Sequence, residues 1–396
     1  MILLLTETLT AGGAEIFVLR LAKQLKRLGY PAVIFNYNRR LSNIDLLKKF
    51  SELEIIHYSF PGENLIWIVD RLLFKLGIDI SIRFFLLSVK IRSLVKTRKI
   101  RVAHSHLFNT DYCFSLANRK SKIRHVITNH GDYKLFAERS STLHGESVLN
   151  FHKKVEQVLE ESSEIICISH DQVKHLAETY GQHFSKKMQI IYNGFELEMF
   201  HTRKRQELGI EENDFVFGMV ARGIQEKGWK YAIEAFRKIN SNTHLILVGK
   251  GDYLDNLQVE LGIIKGVHWI GFSENPLEWI NIFNVTLLPS YYHAESQPNV
   301  LLESLSLSKP FICSEVGDVP IILNEDEPVR QCGFTIPLKS TDPHIDVEEL
   351  YKKMMLYLNN NELYLRHSAN AAKRFKDFEM GVCATKYLDQ YFPMQK

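Results

Sequence analysis

Thirteen short apolar runs, separated by longer amphipathic stretches, constrain this chain more than any other feature. The first series is 2–5 (ILLL), 31–36 (PAVIFN), 54–58, 101–105 (RVAHS), 124–128 (RHVIT), 164–169 (EIICIS) and 188–192. The second is 215–221 (FVFGMVA), 244–249 (HLILVG), 267–271 (VHWIG), 285–289 (VTLLP), 310–314 (PFICS) and 333–336. Uninterrupted runs of this length are what strands buried on both faces require. Between them lie helical patterns such as 14–29, 229–240 and 253–261, and 378–393 reads as a last helix. Strand–helix alternation carried through twice predicts an α/β chain of two doubly wound parallel sheets, with a joint near 192–200 (YNGFELEMF). The 396 residues also exceed what one core usually serves.

Composition excludes several classes. No run reaches the ~18 uncharged apolar residues of a membrane span. The opening MILLLTETLT lacks a basic flank and reads as a first strand rather than a secretory signal. Five scattered cysteines with no C-x-x-C fit reduced thiols in a cytosolic protein, not a disulfide frame or a zinc cluster. The net charge of +3 hides an asymmetry: residues 1–190 hold 28 Lys and Arg against 18 Asp and Glu. Within 71–101, nine basic residues interleaved with Leu, Ile and Phe meet a single acid. Such a stretch either contacts an anionic membrane surface or forms helices with an ordinary solvated basic face. No nucleic-acid motif accompanies it.

In open α/β sheets ligands bind beyond the carboxyl ends of strands, so residues that follow strands are the candidates. TAGGAE, 10–15, opens a helix after the first strand. Gly12 and Gly13 let a ligand approach the backbone, and the helix N-terminus favours an anion, although a plain tight turn reads the same way. It lacks the G-x-G-x-x-G of dinucleotide enzymes. His104 and His106 follow another strand and share one face, either as a polar floor or as half of a metal site that lacks further ligands nearby. His130, beside Gly131, is placed for a polar contact with ligand.

In ARGIQEKGW, 221–229, Arg222 and Lys227 flank a loop that precedes a helix, a diphosphate clamp if it is not a solvated surface loop. In HAESQPNVLLESLSLSKP, 293–310, Pro298 suits the first turn of a helix. That would leave the N–H groups of Asn299, Val300 and Leu301 for phosphate oxygens. Glu303 stands in an apolar run, where a carboxylate needs a partner. Each carboxylate can accept two donors, so Glu303 suits a ribose diol and Glu295 sugar hydroxyls. A buried salt bridge is the other explanation of Glu303. EVGDVP, 315–320, reads as a flexible turn.

Taken together these segments resemble the retaining glycosyltransferases of family 4. The resemblance rests on GGAE (12–15), HGD (130–132), YNGF (192–195), ARGIQEKG (221–228), VGKGD (248–252), the pair Glu295/Glu303 with PNVLLE, and SKPFICSEVGDVP (308–320). It implies the GT-B fold, two Rossmann-like domains facing across a cleft. Residues 1–193 would bind acceptor, 194–375 the donor, and 376–396 would cross back to the first domain. It further implies a nucleotide-sugar donor with no cofactor or metal. Arg222 and Lys227 would hold the diphosphate, Glu303 the ribose, and Glu295 the transferred sugar. His130 would line the sugar site, Gly13 the phosphate loop, and Asn193 would join the substrate contacts. Catalytic roles are thus expected for Glu295, Arg222, Lys227 and His130.

Two departures stand out: Glu295-Ser-Gln-Pro-Asn replaces the family's Glu-Gly-Phe-Gly, and Ile321 replaces an acid. The first resembles bacterial enzymes that build polysaccharide or lipid-linked glycans, often from N-acetylated sugars. The expected acceptor is therefore a glycan or polyprenol-diphosphate-linked glycan at the inner membrane face. A sugar-nucleotide epimerase, a glycan phosphorylase, or a non-enzymatic nucleotide-sugar-binding protein remain as alternatives on the same fold.

Overall fold

A computed structural model describes residues 1–10, 12–38, 41–60, 62–131, 133, 149–240, 242–292, 295–342 and 344–393. All thirteen apolar runs are strands. The chain divides into two compact units, Met1–Gly194 together with Met380–Lys396, and Phe195–Glu379.

Among its described residues the first unit holds seven strands: β1 (Ile2–Thr6), β2 (Ala32–Asn36), β3 (Glu54–His57), β4 (Val102–His106), β5 (Arg124–Asn129), β6 (Glu164–Cys167) and β7 (Met188–Ile190). Their order is β3-β2-β1-β4-β5-β6-β7, every pairing parallel. Every residue of β1 is buried, and its side chains divide by the strand period of two. Ile2 and Leu4 join Phe17, Leu21 and Leu25 of the helix Gly13–Arg27. Leu3 and Leu5 join Phe84, Leu87 and Ile91 of the helix Ile82–Thr97 on the opposite face. The C-terminal helix, Met380–Tyr391, gives Met380, Cys383, Ala384, Tyr387 and Tyr391 to the first of these cores.

Among its described residues the second unit repeats the plan with six strands, β8 (Phe215–Val220), β9 (Thr243–Val248), β10 (Val267–Gly271), β11 (Val285–Leu288), β12 (Phe311–Ser314) and β13 (Gly333–Ile336). Their order is β10-β9-β8-β11-β12-β13, again all parallel. In both sheets the order reverses beside the first strand, between β1 and β4 and between β8 and β11. That reversal is the crevice in which doubly wound folds bind ligands. The basic stretch 71–101 falls on two helices, Glu63–Lys75 and Ile82–Thr97. Among the described residues no helix is long and apolar enough to cross a membrane.

Candidate active site

In the second unit, loop 221–228 leaves β8 and is clipped to the segment after β9. Ala221 N–H donates to the Val248 carbonyl (3.2 Å) and Gly223 N–H to that of Lys250 (2.9 Å). The fully buried Trp229 donates its indole N–H to the Arg222 carbonyl (3.0 Å). A 3₁₀ turn, Gln225–Lys227, then ends at Gly228, whose φ is +80°. A Cβ at Gly228 would sit 1.8 Å from the Pro289 carbonyl oxygen, so only glycine lets this loop lie against the end of β11.

The loop after β11 wraps onto the same turn. Tyr291 N–H (2.8 Å) and Ser290 Oγ (3.2 Å) both donate to the Glu226 carbonyl. Glu295 N–H donates to the Tyr292 carbonyl (3.0 Å). The result joins two residues 68 positions apart in one ion pair, Lys227 Nζ to Glu295 Oε2, with only 9% and 12% of the side chains exposed. Ser290 Oγ also donates to Glu295 Oε2 (3.4 Å). Lys227 Nζ lies 4.9 Å from the centroid of the Tyr292 ring, and the Arg222 guanidinium 5.4 Å from the same centroid. Arg222 itself is exposed. Two cations, one carboxylate, an aromatic face and a hydroxyl thus converge beyond the switch point of this sheet. Burial, with Glu295 nearby, pushes the neighbouring Cys313 thiol well above its ordinary range, so no thiolate competes as nucleophile.

The helix Asn299–Ser306 follows at once. Pro298 is its N-cap, with ψ at 129°, and not a residue of its first turn. Leu301 N–H donates to the Pro298 carbonyl (3.1 Å), so the amides that face outward narrow to those of Asn299 and Val300. Ser304 Oγ donates to Thr286 Oγ1 of β11 (2.9 Å) and fixes the helix to the sheet. Glu303 is half-buried one turn in, beside buried Leu302 and Leu305. The turn 315–320 is not loose: Asp318 N–H donates to the Ser296 carbonyl (3.1 Å), and Gly317, at φ +50°, passes where a Cβ would meet that oxygen at 2.2 Å.

The remaining candidates belong to the first unit. Gly12 is the N-cap of the helix Gly13–Arg27. Glu15 in its first turn accepts from Thr8 Oγ1 (2.6 Å) and Thr10 Oγ1 (3.1 Å), so this helix end already holds an anion of the chain's own. His130 and His106 share a hydrogen bond between Nε2 and Nδ1 (2.9 Å), with Phe17 edge-on to His130 at 5.3 Å. His104 is spent on scaffolding: one ring nitrogen meets Tyr391 Oη (2.6 Å), the other Thr128 Oγ1 (2.7 Å), which in turn meets Tyr387 Oη (2.9 Å). Both nitrogens being engaged, His104 has none left for a metal. Burial pulls His104 and His106 well below the ordinary imidazole range and His130 down to about 3, so all three are neutral. Asn193 is half-buried beside Gly194, which packs on the Cys383 and Met380 positions. Asp132 lies outside the described residues. Among the described residues no group of three His, Cys, Asp or Glu is placed to hold a metal ion.

Tyr292 and Ser290 are absent from the sequence-based candidates. The signal that found the others, a polar residue just past a buried strand, applies equally to PSYY at 289–292.

Residues 11–199 match the family model described as Glycosyltransferase Family 4, and residues 200–374 match Glycosyl transferases group 1. The chain belongs to the group 1 glycosyltransferases. Similar members include the UDP-Gal:alpha-D-GlcNAc-diphosphoundecaprenol alpha-1,3-galactosyltransferase of Escherichia coli, 27% identical over 65% of this chain and 68% of that one. A capsular polysaccharide biosynthesis glycosyltransferase of Staphylococcus aureus, CapH, is 26% identical over 67% of this chain and 74% of its own. The match to an uncharacterized glycosyltransferase of Methanocaldococcus jannaschii, 23% identical over 55% of this chain, spans 61% of that relative's length. This group 1 glycosyltransferase also shares its fold with Anabaena HepE in complex with UDP, at TM-score 0.73, 16% identity and 98% coverage of both chains. WaaG, a glycosyltransferase involved in lipopolysaccharide biosynthesis, matches at TM-score 0.67 and 16% identity over 99% of this chain and all of that one. Two doubly wound sheets are thus the GT-B architecture.

Proposed function

We propose that this chain transfers a hexosyl or N-acetylhexosaminyl group, with retention, from a nucleotide-diphosphate sugar to a glycan or polyprenol-diphosphate-linked acceptor in surface polysaccharide synthesis. The observation that carries the reading is the grouping of Lys227, Glu295 and Arg222 around Tyr292, at the end of β11 and just ahead of the helix Asn299–Ser306. A uridine diphosphate donor is favoured by the galactosyltransferase relative named for UDP-Gal and by the fold neighbour in complex with UDP. The lipid-linked acceptor is favoured by the same relative's diphosphoundecaprenol substrate. Such a reaction would run at the inner face of the cell membrane.

The physical task is to bear the charge of the leaving nucleotide. As the bond between the anomeric carbon and the diphosphate oxygen breaks, Arg222, Lys227 and the amides of Asn299 and Val300 stabilise the phosphate, with no metal needed. The Lys227–Glu295 pair makes this an exchange. A diphosphate takes over the cation, and the released Glu295 carboxylate accepts from the sugar hydroxyls, so neither buried charge is left alone. Glu303 receives the ribose diol. His130, held neutral, serves the sugar as a hydrogen-bond partner and not as an acid. The acceptor hydroxyl attacks the face from which the phosphate departs and passes its proton to a phosphate oxygen.

The test is product analysis with a panel of nucleotide-sugars, with and without lipid-linked acceptors. The expected result is nucleotide diphosphate formed only with acceptor, together with a glycoside that keeps the donor's anomeric configuration by NMR. An inverted glycoside sinks the retention claim. An isomerised nucleotide-sugar formed without acceptor replaces the transferase reading with an epimerase.

A further inference from the structure

Three imidazoles stand in a row where β4 and β5 end. The rings of His104 and His106 have centroids 4.0 Å apart, and those of His106 and His130 lie 5.1 Å apart, stacked. Phe17, from the helix Gly13–Arg27, meets both His106 (6.0 Å) and His130 (5.3 Å) edge-on and fixes their ring planes. His104 has a hydroxyl on each nitrogen and is closed to other partners. The other two rings each give one nitrogen to their mutual bond, His106 Nδ1 to His130 Nε2. Their second nitrogens differ. His106 is fully buried, and its Nε2 has no partner among the described residues. His130 is only half-buried, just past the end of β5.

That difference decides which ring donates. Burial keeps both rings neutral. A bond between two neutral imidazoles holds one N–H and one bare nitrogen. If His130 Nε2 carried the proton, His106 would accept at Nδ1 and keep its own proton on Nε2. A buried N–H would then point at no acceptor. If His106 Nδ1 carries it, the unpartnered Nε2 is a bare lone pair instead. Buried donors left without an acceptor are the rarer defect, as backbone N–H and C=O groups show. The network therefore selects the second arrangement, and the proton of His130 falls on Nδ1, the nitrogen turned away from His106.

We infer that His106 is a positioning residue: donating from Nδ1, it holds His130 as the Nδ1–H tautomer and makes that ring a hydrogen-bond donor to the transferred sugar. Resting on the reading that His130 faces this sugar, the inference adds the direction of the bond. The sugar atom that meets His130 is an acceptor, a hydroxyl or acyl oxygen.

The experiment is NMR of the full chain labelled with ¹⁵N-histidine, at pH 7.5 and without ligand. Couplings from the ring C–H protons tell a protonated nitrogen from a bare one, and His106→Asn and His130→Gln assign the two rings. Both rings are expected to be protonated at Nδ1 and bare at Nε2. A proton on His130 Nε2, or two protons on either ring, overturns the proposal whatever reaction the chain runs. Kinetics supply the second arm. His106→Leu should lower kcat/KM about tenfold, the rate equivalent of one hydrogen bond. His106→Asn, whose amide N–H takes the place of ring Nδ1, should restore most of that loss. In a His130→Ala background, His106→Leu should cost nothing further. A loss that persists in that background, or that follows the melting temperature and ignores the asparagine, reduces His106 to packing. The expected tautomer with unchanged kcat/KM in His130→Ala overturns the sugar contact, and with it the role of His106, while the tautomer stands.

Discussion

The two sheets carry polar residues at comparable places and use them in opposite ways. Along β4 and β5, His104, Ser105, His106, His125 and Thr128 are fully buried, neutral and hydrogen-bonded within the first unit. Past β8 and β11 the polar residues are charged, and stand in loops where Arg222 meets solvent and Lys227 has a carboxylate it can exchange. The partner makes the difference, since Lys227 is buried as well. An imidazole wedged between Tyr391 and Thr128 can neither ionise nor change partners, so it is scaffold. An ammonium buried against a single carboxylate can trade that anion for another, so it can do chemistry.

That contrast breaks first under acid, where the largest effect is expected. In the unfolded chain each histidine takes a proton near 6.5. In the fold, burial holds His125 and His130 down at about 3 and His104 and His106 well below normal. Their contribution is therefore full above pH 6.5 and lost as pH falls, by about 2 kcal/mol per histidine at pH 5. Hydrogen exchange at pH 7.5 and pH 5 should show protection vanishing over 102–130 before 243–290. In the second unit burial pulls down His367, to about 4, and His268, but these two stand apart in the fold and form no comparable cluster. Simultaneous loss in both units ends the comparison. Asp111 runs the other way. Burial raises it to about 7, although it accepts from Ser105 (2.6 Å) and Tyr133 (2.9 Å). The unfolded chain releases this proton near 3.9, so stability falls as pH rises from 4 to 7, by up to about 4 kcal/mol. Asp111→Asn should raise the melting temperature at pH 7.5 and steepen the acid loss.

The charged side of the comparison is sharpened by Lys227→Ala. Turnover should fall about 10²–10³-fold, the usual loss when one donor to a developing anion is removed. The variant also strands Glu295, so its melting temperature should drop. Lys227→Ala combined with Glu295→Ala should recover stability and not turnover. Near-normal turnover in the single variant removes Lys227 from the chemistry.

Why so much of the fold was legible is physical. Strands covered on both faces have few polar positions to spare, so all thirteen fall in largely apolar runs, with ends displaced by one or two residues, as at Val102–His106 and Met188–Ile190. The helix after β8 stops at Phe236, short of the predicted residue 240, because an apolar period does not mark where a helix frays. Pro298 fits an N-cap as well as a first turn, since both accept its φ. Pairings were hidden. Lys227 and Glu295 each look like ligand contacts, and nothing local says that they meet across 68 residues. His104 and Tyr391 are 287 residues apart, and only the return of the C-terminal helix to the first unit joins them.

That long-range bond offers the smallest test and the most selective. Tyr391→Phe deletes one hydroxyl and leaves the ring packed against the core that holds Phe17 and Tyr387. His104 keeps Thr128 on one nitrogen and loses its partner on the other, in a site with no exposure. A buried polar atom left unsatisfied costs about 1–3 kcal/mol. The expected outcome is a lower melting temperature for the first unit with kcat within about twofold of the native enzyme, since the proposed chemistry rests on loop charges that this bond does not touch. If kcat instead falls with the melting temperature unchanged, the buried histidines belong to the chemistry, and the division between scaffold and reactive residues fails in the first unit.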